Sequence, residues 1–348
     1  MTHRPRRWPS RRDPRSRLLV AGLAVVALAG IVVAATSTAA AKPKPPSKDK
    51  VKMTLIIPEL ANPFYVPGKN GARRAAEKYG VDLQIVGTQQ FDVHQQIALF
   101  DDALTARTRA ILAVPGDPTT LNSSIAKAKA KRVFVGTVFL DAPKSKRDFF
   151  VGHDVVGEGR EQGTRVLQAL NRRGTRGVVE AIITTCAPGS TGQEGRRRGF
   201  TQVVTKKNPY RARFQIKIAA YLNATGEPAK SLANHQNLLL AHPDVKVLYP
   251  MCAINTLSAG QVVKAKNRRD IVIAGHDWLP QTLDLIEQGW VPWSVGEAPY
   301  DNCYKAVQWL AQAAHGTKRV PHGLFTTKTI LATKANLAQI RKSPNAAG

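Results

Sequence analysis

Acidic residues are scarce in this chain of 348 residues: 24 Asp and Glu stand against 51 Lys and Arg, a formal net charge of +27. Cysteine is scarce too, and three cysteines exclude a fold held together by several disulfides. The chain lacks a Cys-x-x-Cys pair, a His-Glu-x-x-His motif and a Gly-x-Ser-x-Gly elbow, the usual signs of zinc, thioredoxin-like and serine-hydrolase sites. His153 and Asp154 are adjacent, so they point apart in a strand and form no catalytic relay by themselves. We therefore expect no metal, no other cofactor and no enzyme activity.

The positive charge extends along the whole chain. Residues 1–50 carry 11 Lys and Arg against 2 acidic residues, and residues 51–348 hold the remaining +18. Such a charge favours acidic partners such as nucleic acid, anionic lipid or a cell-wall polymer. With 43% apolar and 22% charged residues the composition is close to the globular average, and the length suits two domains. Wholesale disorder is thereby excluded.

The N-terminus has the pattern of an export signal. Seven arginines lie within residues 4–17, an uncharged apolar run follows from Leu18 to Ala35, and three alanines end at Ala41. A basic start, an apolar middle and a small-residue exit are typical of a secretory signal, so we expect cleavage after Ala41 and a periplasmic or cell-surface protein. The apolar run is also long enough to cross a bilayer, and a retained membrane anchor is the alternative. Residues 42–50 are rich in Pro and Lys and indicate an extended linker.

From residue 51 onward, short apolar runs alternate with longer amphipathic stretches. The apolar runs are rich in Val, Ile and Leu without strict alternation, which predicts strands buried on both faces and therefore parallel sheets flanked by helices. Ten such strands exceed one doubly wound sheet, so we expect two α/β lobes. The predicted strands are Met53–Pro58, Val81–Val86, Ala110–Val114, Val133–Val138, Phe149–Gly152, Gly177–Thr184, Phe214–Tyr221, Val245–Pro250, Ile271–Gly275 and Pro292–Gly296. The predicted helices are Lys69–Tyr79, His94–Ala106, Leu121–Lys131, Gly157–Leu170, Glu194–Lys206, Ala229–Ala241, Thr256–Lys266 and Tyr300–His315.

This architecture points to the residues that follow the strands. Ligands of open α/β sheets bind at the carboxyl ends of the strands, and two facing sheets place that site in the cleft between them. Aromatic rings stack on the C–H faces of sugars, and amides, carboxylates and guanidinium groups bind hydroxyls. The candidate ligand-binding residues are Asn62, Phe64, Tyr65, His153, Arg196, Asp277, Trp278 and Glu297.

Structural roles compete with these assignments. Phe64 follows an Asn-Pro turn and is as well suited to fill the core as to line a cleft. Asp277 beside Trp278 fits a capping carboxylate next to a packed indole equally well. Of the arginines from Arg196 to Arg198, we expect two in solvent and one side chain free to reach the cleft.

Several motifs, in this order and behind an export signal, resemble the type I periplasmic binding proteins of the ribose/galactose class, which are solute receptors of ABC importers. The resemblance covers about residues 51–335. Its motifs are Asn62-Pro63-Phe64-Tyr65, Val151-Gly152-His153-Asp154, Arg196-x-x-Gly199-Phe200, Leu238–Val245 and Gly275-His276-Asp277.

The resemblance implies two doubly wound parallel-sheet lobes joined by a three-strand hinge. The N-terminal lobe would comprise residues 51–154 and 298–322, the C-terminal lobe residues 155–297 and 323–340, and residues 341–348 a tail. It implies that the lobes close on a small ligand and that a membrane permease of an ABC importer recognises the closed form. It also implies a monomer. We expect no nucleic-acid partner, because an export signal stands where a DNA-reading helix would be needed.

Departures from the class affect the expected ligand. The Asp-Arg pair that sugar receptors of the class often carry after the fourth strand is replaced by Thr137, Val138 and Phe139. Met251–Asn255 replaces the usual Asn-Asp after the eighth strand. Glu297 stands where the class has its last ligand contact, a Gln or Asn. We therefore expect a site more acidic and more aromatic than a ribose site, for another sugar, a polyol or an amine-bearing ligand. The alternative function is a receptor that presents its closed form to a sensor kinase or chemoreceptor.

The cysteines allow one disulfide. Cys186 and Cys252 follow the first and third predicted strands of the second lobe, which are neighbours in a doubly wound sheet. Adjacent strands lie about 4.8 Å apart, and disulfides need Cα separations of about 4.4–6.8 Å. An exported protein meets an oxidising compartment, so we predict this bridge and a free Cys303. Two small buried thiols are the alternative.

Overall fold

The computed structural model describes residues 50–346, in which twelve strands and ten α-helices form. The strands are β1 (Val51–Ile57), β2 (Val81–Gly87), β3 (Ala110–Ala113), β4 (Phe134–Val138), β5 (Phe149–Gly152), β6 (Gly177–Thr185), β7 (Phe214–Asn223), β8 (Val247–Pro250), β9 (Val272–His276), β10 (Trp293–Gly296), β11 (Gly323–Thr326) and β12 (Ile330–Ala332). The helices are α1 (Tyr65–Lys78), α2 (Val93–Thr105), α3 (Asn122–Ala130), α4 (Val155–Arg172), α5 (Thr191–Thr201), α6 (Pro228–Ala241), α7 (Ala253–Ala265), α8 (Pro280–Glu287), α9 (Pro299–Ala314) and α10 (Leu337–Arg341).

The strands form two six-stranded sheets. The order is β11-β5-β4-β3-β1-β2 in the first sheet and β12-β10-β9-β8-β6-β7 in the second. All pairs are parallel except β10 with β12. Central strands such as β3, β5 and β8 are buried along their whole length, which is why their sequences are continuously apolar. The prediction of two doubly wound parallel-sheet lobes is confirmed.

Each sheet is covered by helices on both faces, and four clusters of buried apolar residues form the cores of the lobes. Helix α9 packs with α1 on the first sheet although it follows β10 of the second. Two helix pairs, α1 with α9 and α4 with α5, approach closely at glycines. A Cβ on Gly71 of α1 would collide with the carbonyl of Tyr300 in α9, and a Cβ on Gly199 of α5 would collide with the carbonyl of Val156 in α4. These positions therefore need glycine.

The chain crosses between the lobes three times. The crossings lie between β5 and α4, between β10 and α9, and between β11 and β12. The third corrects the predicted lobe boundary at residues 322 and 323: β11 pairs with β5, Gly323 opposite Phe149, so residues 323–326 belong to the first sheet. The crossing falls between Thr326 and Ile330. It was misplaced because β11 is a short, largely exposed edge strand without the pattern of a buried one.

The ten strands predicted from the sequence are all present, with ends that differ by a few residues. Helix α1 begins at Tyr65 rather than Lys69, because the Asn62 turn already starts the helical backbone. Helix α5 ends at Thr201 and continues as a π-helical turn to Lys206. The short elements β11, β12, α8 and α10 were not predicted.

The predicted disulfide is confirmed. Cys186 and Cys252 are bonded, and their Cα atoms are 6.5 Å apart. They follow β6 and β8, which pair directly in the second sheet. Cys303 is free and buried in α9.

The predicted signal peptide, residues 1–41, lies outside the described residues, as do residues 42–49 of the linker and the last two residues of the tail. Among residues 50–346, no helix combines the length and the apolar character needed to cross a membrane.

Candidate functional site

The candidate site is a cavity of about 50 Å³ between the two lobes, at the carboxyl ends of both sheets. Residues from the first lobe supply its aromatic side, and residues from the second lobe supply its charged side. Six of the eight predicted site residues line it: Asn62, Phe64, Tyr65, Arg196, Asp277 and Glu297. Its other walls lie outside the predicted set of ligand-binding residues: Phe139, Leu140, Gln193, Ala187, Ala253 and the bridged Cys186 and Cys252.

The aromatic side consists of Phe64, Tyr65 and Phe139. The ring of Phe64 meets Tyr65 and Phe139 edge-on, with centroids 5.1 Å and 5.3 Å apart. Phe139 has a φ of +64°, in the left-handed region that a bulky side chain rarely adopts. Such strain is typical of functional sites, and here it accompanies a ring that lies on the cavity wall. The three rings offer an apolar surface on which the C–H face of a sugar can pack.

Asn62 organises the start of α1. Its Oδ1 accepts a hydrogen bond from the backbone N–H of Phe64 at 3.0 Å, and its Nδ2 donates to Oε2 of Glu59 at 3.1 Å. Burial raises the pKa of Glu59, against the lowering effect of that hydrogen bond. A Cβ on Gly226, which follows β7 in the second lobe, would collide with Glu59, so the two lobes touch at this point. Asn62 therefore both positions Phe64 and stands beside an inter-lobe contact.

Arg196 is the buried cation of the second lobe. Its Nε donates to Glu158 Oε2 at 3.1 Å, its Nη1 to the carbonyl of Met251 at 3.2 Å and its Nη2 to Glu297 Oε1 at 2.6 Å. Helices α4 and α5 bring Arg196 and Glu158 together because Gly159 and Gly199 allow the two backbones to approach. The next two arginines of α5 lie nearer the surface.

His153 and His276 complete this network on the side away from the cavity. His153 Nε2 lies 2.8 Å from Glu158 Oε2 and 3.3 Å from Glu297 Oε1, and His276 Nε2 lies 2.7 Å from Glu158 Oε1. Burial lowers the pKa of His153, but the two carboxylates outweigh it and raise this pKa to about 10. Burial, with the nearby Arg196, lowers the pKa of His276. His153 is therefore an imidazolium and His276 a neutral imidazole at pH 7.

The two buried glutamates are ionised. Burial by itself raises the pKa of Glu158 and of Glu297, but His153 and Arg196 outweigh it and lower both values. Asp277 behaves in the opposite way: burial, and then the charge of Glu297, raise its pKa to about 8. Its backbone has a φ of +55°, a second left-handed residue on the cavity wall.

Two predicted site residues lie off the cavity. His153 is separated from it by Arg196 and acts on the site through that side chain. Trp278 belongs to a core cluster of the second lobe, and a Cβ on Gly296 would collide with its ring. It shares only a side pocket of about 10 Å³ with Phe64. Trp278 therefore matches the structural alternative given above, an indole packed beside Asp277. The turn at Asp277 directs the Trp278 side chain into the core of the second lobe.

Glu158 and His276 were not predicted as site residues. Glu158 lies in the charged stretch of α4, where nothing distinguishes it from a surface glutamate. Its partner Arg196 is 38 residues away, so only the tertiary fold reveals the pair. His276 stood inside the Gly-His-Asp motif, and its position on the buried strand β9 was the available signal.

A family model described as "Periplasmic binding protein domain" matches residues 53–318. That match spans most of the chain, and the chain belongs to this family.

Individual relatives agree with that assignment. The chain is 26% identical over 278 residues to the D-allose-binding periplasmic protein of Escherichia coli K12, an alignment that covers 77% of this chain and 86% of the relative. It is 24% identical over 291 residues to the ribose import binding protein RbsB of Salmonella typhimurium, covering 84% and 93%.

Solved structures share the fold. GanP, a glucose-galactose binding protein from Geobacillus stearothermophilus, is 27% identical with a TM-score of 0.72, covering 83% of this chain and 99% of that one. A carbohydrate transporter solute-binding protein from Agrobacterium radiobacter, in complex with D-arabinose, is 24% identical with a TM-score of 0.76, covering 85% and 98%.

Proposed function

We propose that this protein is an exported receptor that captures a small sugar or polyol between its lobes and delivers it to the permease of an ABC importer. The observation that carries the proposal is the buried cavity at the carboxyl ends of both sheets, with aromatic rings on one side and charged groups on the other. The family membership and the names of the relatives, which bind allose, ribose or arabinose, support it. The N-terminal signal pattern and the periplasmic relative support export.

Capture depends on closure of the lobes. Phe64, Tyr65 and Phe139 belong to the first lobe, whereas Arg196 and Asp277 belong to the second. A rotation about the three crossings separates these two sides and opens the cavity to solvent. A bound ligand that contacts both sides stabilises the closed form, and the permease then recognises that form.

The groups of the cavity serve binding rather than catalysis. The Arg196 nitrogens all hold carboxylate or carbonyl oxygens, the two cysteines are bonded to each other, and burial raises the pKa of the Tyr65 hydroxyl. No activated nucleophile results from this arrangement. The two acids Asp277 and Glu297 accept hydrogen bonds from hydroxyl groups, and they also suit a ligand of this class that carries an amine.

Isothermal titration of the purified protein against pentoses, hexoses and polyols tests the proposal. We expect at least one neutral or amine-bearing member to bind with a Kd in the micromolar range or below. Phe64→Ala removes an aromatic wall and should weaken that binding at least tenfold. Phe134→Ala is the matched control. Phe134 is a partly buried aromatic residue of the same lobe, but it lies at the start of β4, whereas the cavity lies at the carboxyl end of that strand. Absence of binding across the panel, or equal effects of both variants, would contradict the proposal.

A further inference from the structure

Asp277 and Glu297 are the two carboxylates of the cavity wall. Within residues 50–346, no Lys, Arg or His nitrogen forms an ion pair with Asp277. The only hydrogen bond to its carboxylate there comes from the backbone N–H of Glu297, at 3.5 Å. Glu297 Oε2 is buried and has no hydrogen-bond partner in the same part of the chain. The wall therefore has acceptor oxygens that the protein leaves unused.

Arg196 cannot neutralise Asp277 in this arrangement. Each of its three guanidinium nitrogens already donates to an oxygen of Glu158, Met251 or Glu297. Turning Nε or Nη2 toward Asp277 would break an ion pair with Glu158 or Glu297, and turning Nη1 would remove its hydrogen bond to the buried carbonyl of Met251. Arg196 therefore gives Asp277 no direct ion pair.

A count of the buried charges leads to the same result. Arg196 and His153 balance Glu158 and Glu297, so an ionised Asp277 adds one uncompensated negative charge. The charged and titratable groups around Asp277 are Tyr65 on α1, His153 after β5, Glu158 on α4, Arg196 on α5, His276 on β9 and Glu297 after β10. Burial and the Glu297 carboxylate raise the pKa of Asp277 to about 8, so the ligand-free site holds a proton on this side chain at pH 7.

We propose that the ligand is a cationic amino sugar or amino polyol whose ammonium group lies against the carboxylates of Asp277 and Glu297. This inference rests on the proposed function and narrows its ligand class. An ammonium group donates three hydrogen bonds, which match the unused oxygens of the two acids. The carbon skeleton then packs against Phe64 and Phe139. A metal ion fits less well, since no group of three or more metal-ligating side chains forms among residues 50–346.

Binding of such a ligand releases a proton. The Asp277 carboxyl loses its proton to solvent and becomes the carboxylate that pairs with the ammonium. A neutral sugar requires no such release, because the protonated carboxyl can remain a hydrogen-bond donor to a hydroxyl. Proton release therefore separates the two ligand classes independently of affinity.

The test is calorimetry at pH 7 in two buffers of different ionisation enthalpy. The probes are amino alditols and amino sugars, each beside its neutral parent, and alkyl amines among them are fully charged at this pH. We expect at least one amine to bind tenfold or more tightly than its parent, with release of about one proton per ligand.

Asp277→Asn is the decisive variant, and Asn tolerates the left-handed backbone at this position. It should abolish the proton release and reduce the preference for the amine at least tenfold. Asp284→Asn makes the same charge change on α8, outside the cavity, and should alter neither quantity. If neutral parents bind in a Phe64-dependent manner while no amine binds better and no proton is released, the inference is overturned and the proposed function stands. If neither class binds, both are overturned.

Discussion

The Cys186–Cys252 bridge makes a quantitative prediction about stability. It joins residues 66 positions apart, and a cross-link of that span reduces the entropy of the unfolded chain by an amount worth about 4 kcal/mol at 25 °C. The variant Cys186→Ala/Cys252→Ala should therefore lower the free energy of unfolding by about 4 kcal/mol. The folded lobes should remain, because β6 and β8 stay paired by backbone hydrogen bonds and buried side chains.

Guanidinium unfolding followed by fluorescence measures this loss. Cys303→Ala is the control, since it removes a buried thiol that forms no bridge. Reduced wild-type protein should unfold at nearly the same denaturant concentration as the double variant. A loss smaller than about 1 kcal/mol, or three reactive thiols in denaturant without reductant, would refute the reasoning.

The same bridge has a consequence for ligand binding. Cys186 and Cys252 both lie on the cavity wall, so the bond fixes two loops of the second lobe before a ligand arrives. Loops that are already ordered lose less entropy on binding. We expect the double variant to bind the ligand more weakly than wild type at temperatures where both are folded. Equal affinities would show that the loops are rigid without the bridge.

Three further variants test the buried network. Arg196→Gln removes one of the two cations that pair with Glu158 and Glu297, the other being His153, and should lower the free energy of unfolding by about 3–5 kcal/mol in a denaturant titration, where an unchanged midpoint would argue against the network. Gly199→Ala places a methyl group against the backbone of α4 and should cost about 1–3 kcal/mol by the same measurement, with a smaller effect meaning that the helices can separate at no cost. Asp277→Asn removes an acid whose pKa rises from 3.8 to about 8 on folding. Because the folded state then holds a proton that the unfolded state has lost, wild type loses stability as pH rises from about 4 through 8. Unfolding temperatures at pH 5 and pH 9 should therefore differ less in this variant, and equal pH dependence would contradict the assignment.

The strands were predictable from the sequence because parallel strands that are buried on both faces have continuously apolar sequences. Runs such as Ala110–Ala113 are apolar throughout, and helical stretches separate them at regular intervals. The disulfide was predictable for the same reason, since strand order alone makes its two cysteines neighbours. Strand β11 lacks such an apolar sequence, because it is a largely exposed strand at the edge of its sheet.

The charged side of the site was only partly predictable. Its single residues, Arg196, Asp277 and Glu297, follow from the rule that ligands bind at the carboxyl ends of strands. Their partners do not: Glu158 and His276 are brought to Arg196 by the close approach of α4 and α5 and by the neighbouring strand. Which of these acids is neutral depends on burial, which only the folded lobes define.

The three crossings determine which side of the molecule moves most when the lobes rotate apart. They lie at β5, β10, β11 and β12, toward one side of both sheets, while β1, β2, β6 and β7 lie on the other side. When the lobes rotate about the three crossings, the strands farthest from the crossings move the most. Glu59 and Gly226 meet on the far side, so this inter-lobe contact is among those that a rotation of the lobes would separate most. Because Gly226 has no side chain, the Glu59 carboxylate can lie against it, and a larger residue there would have to displace that carboxylate.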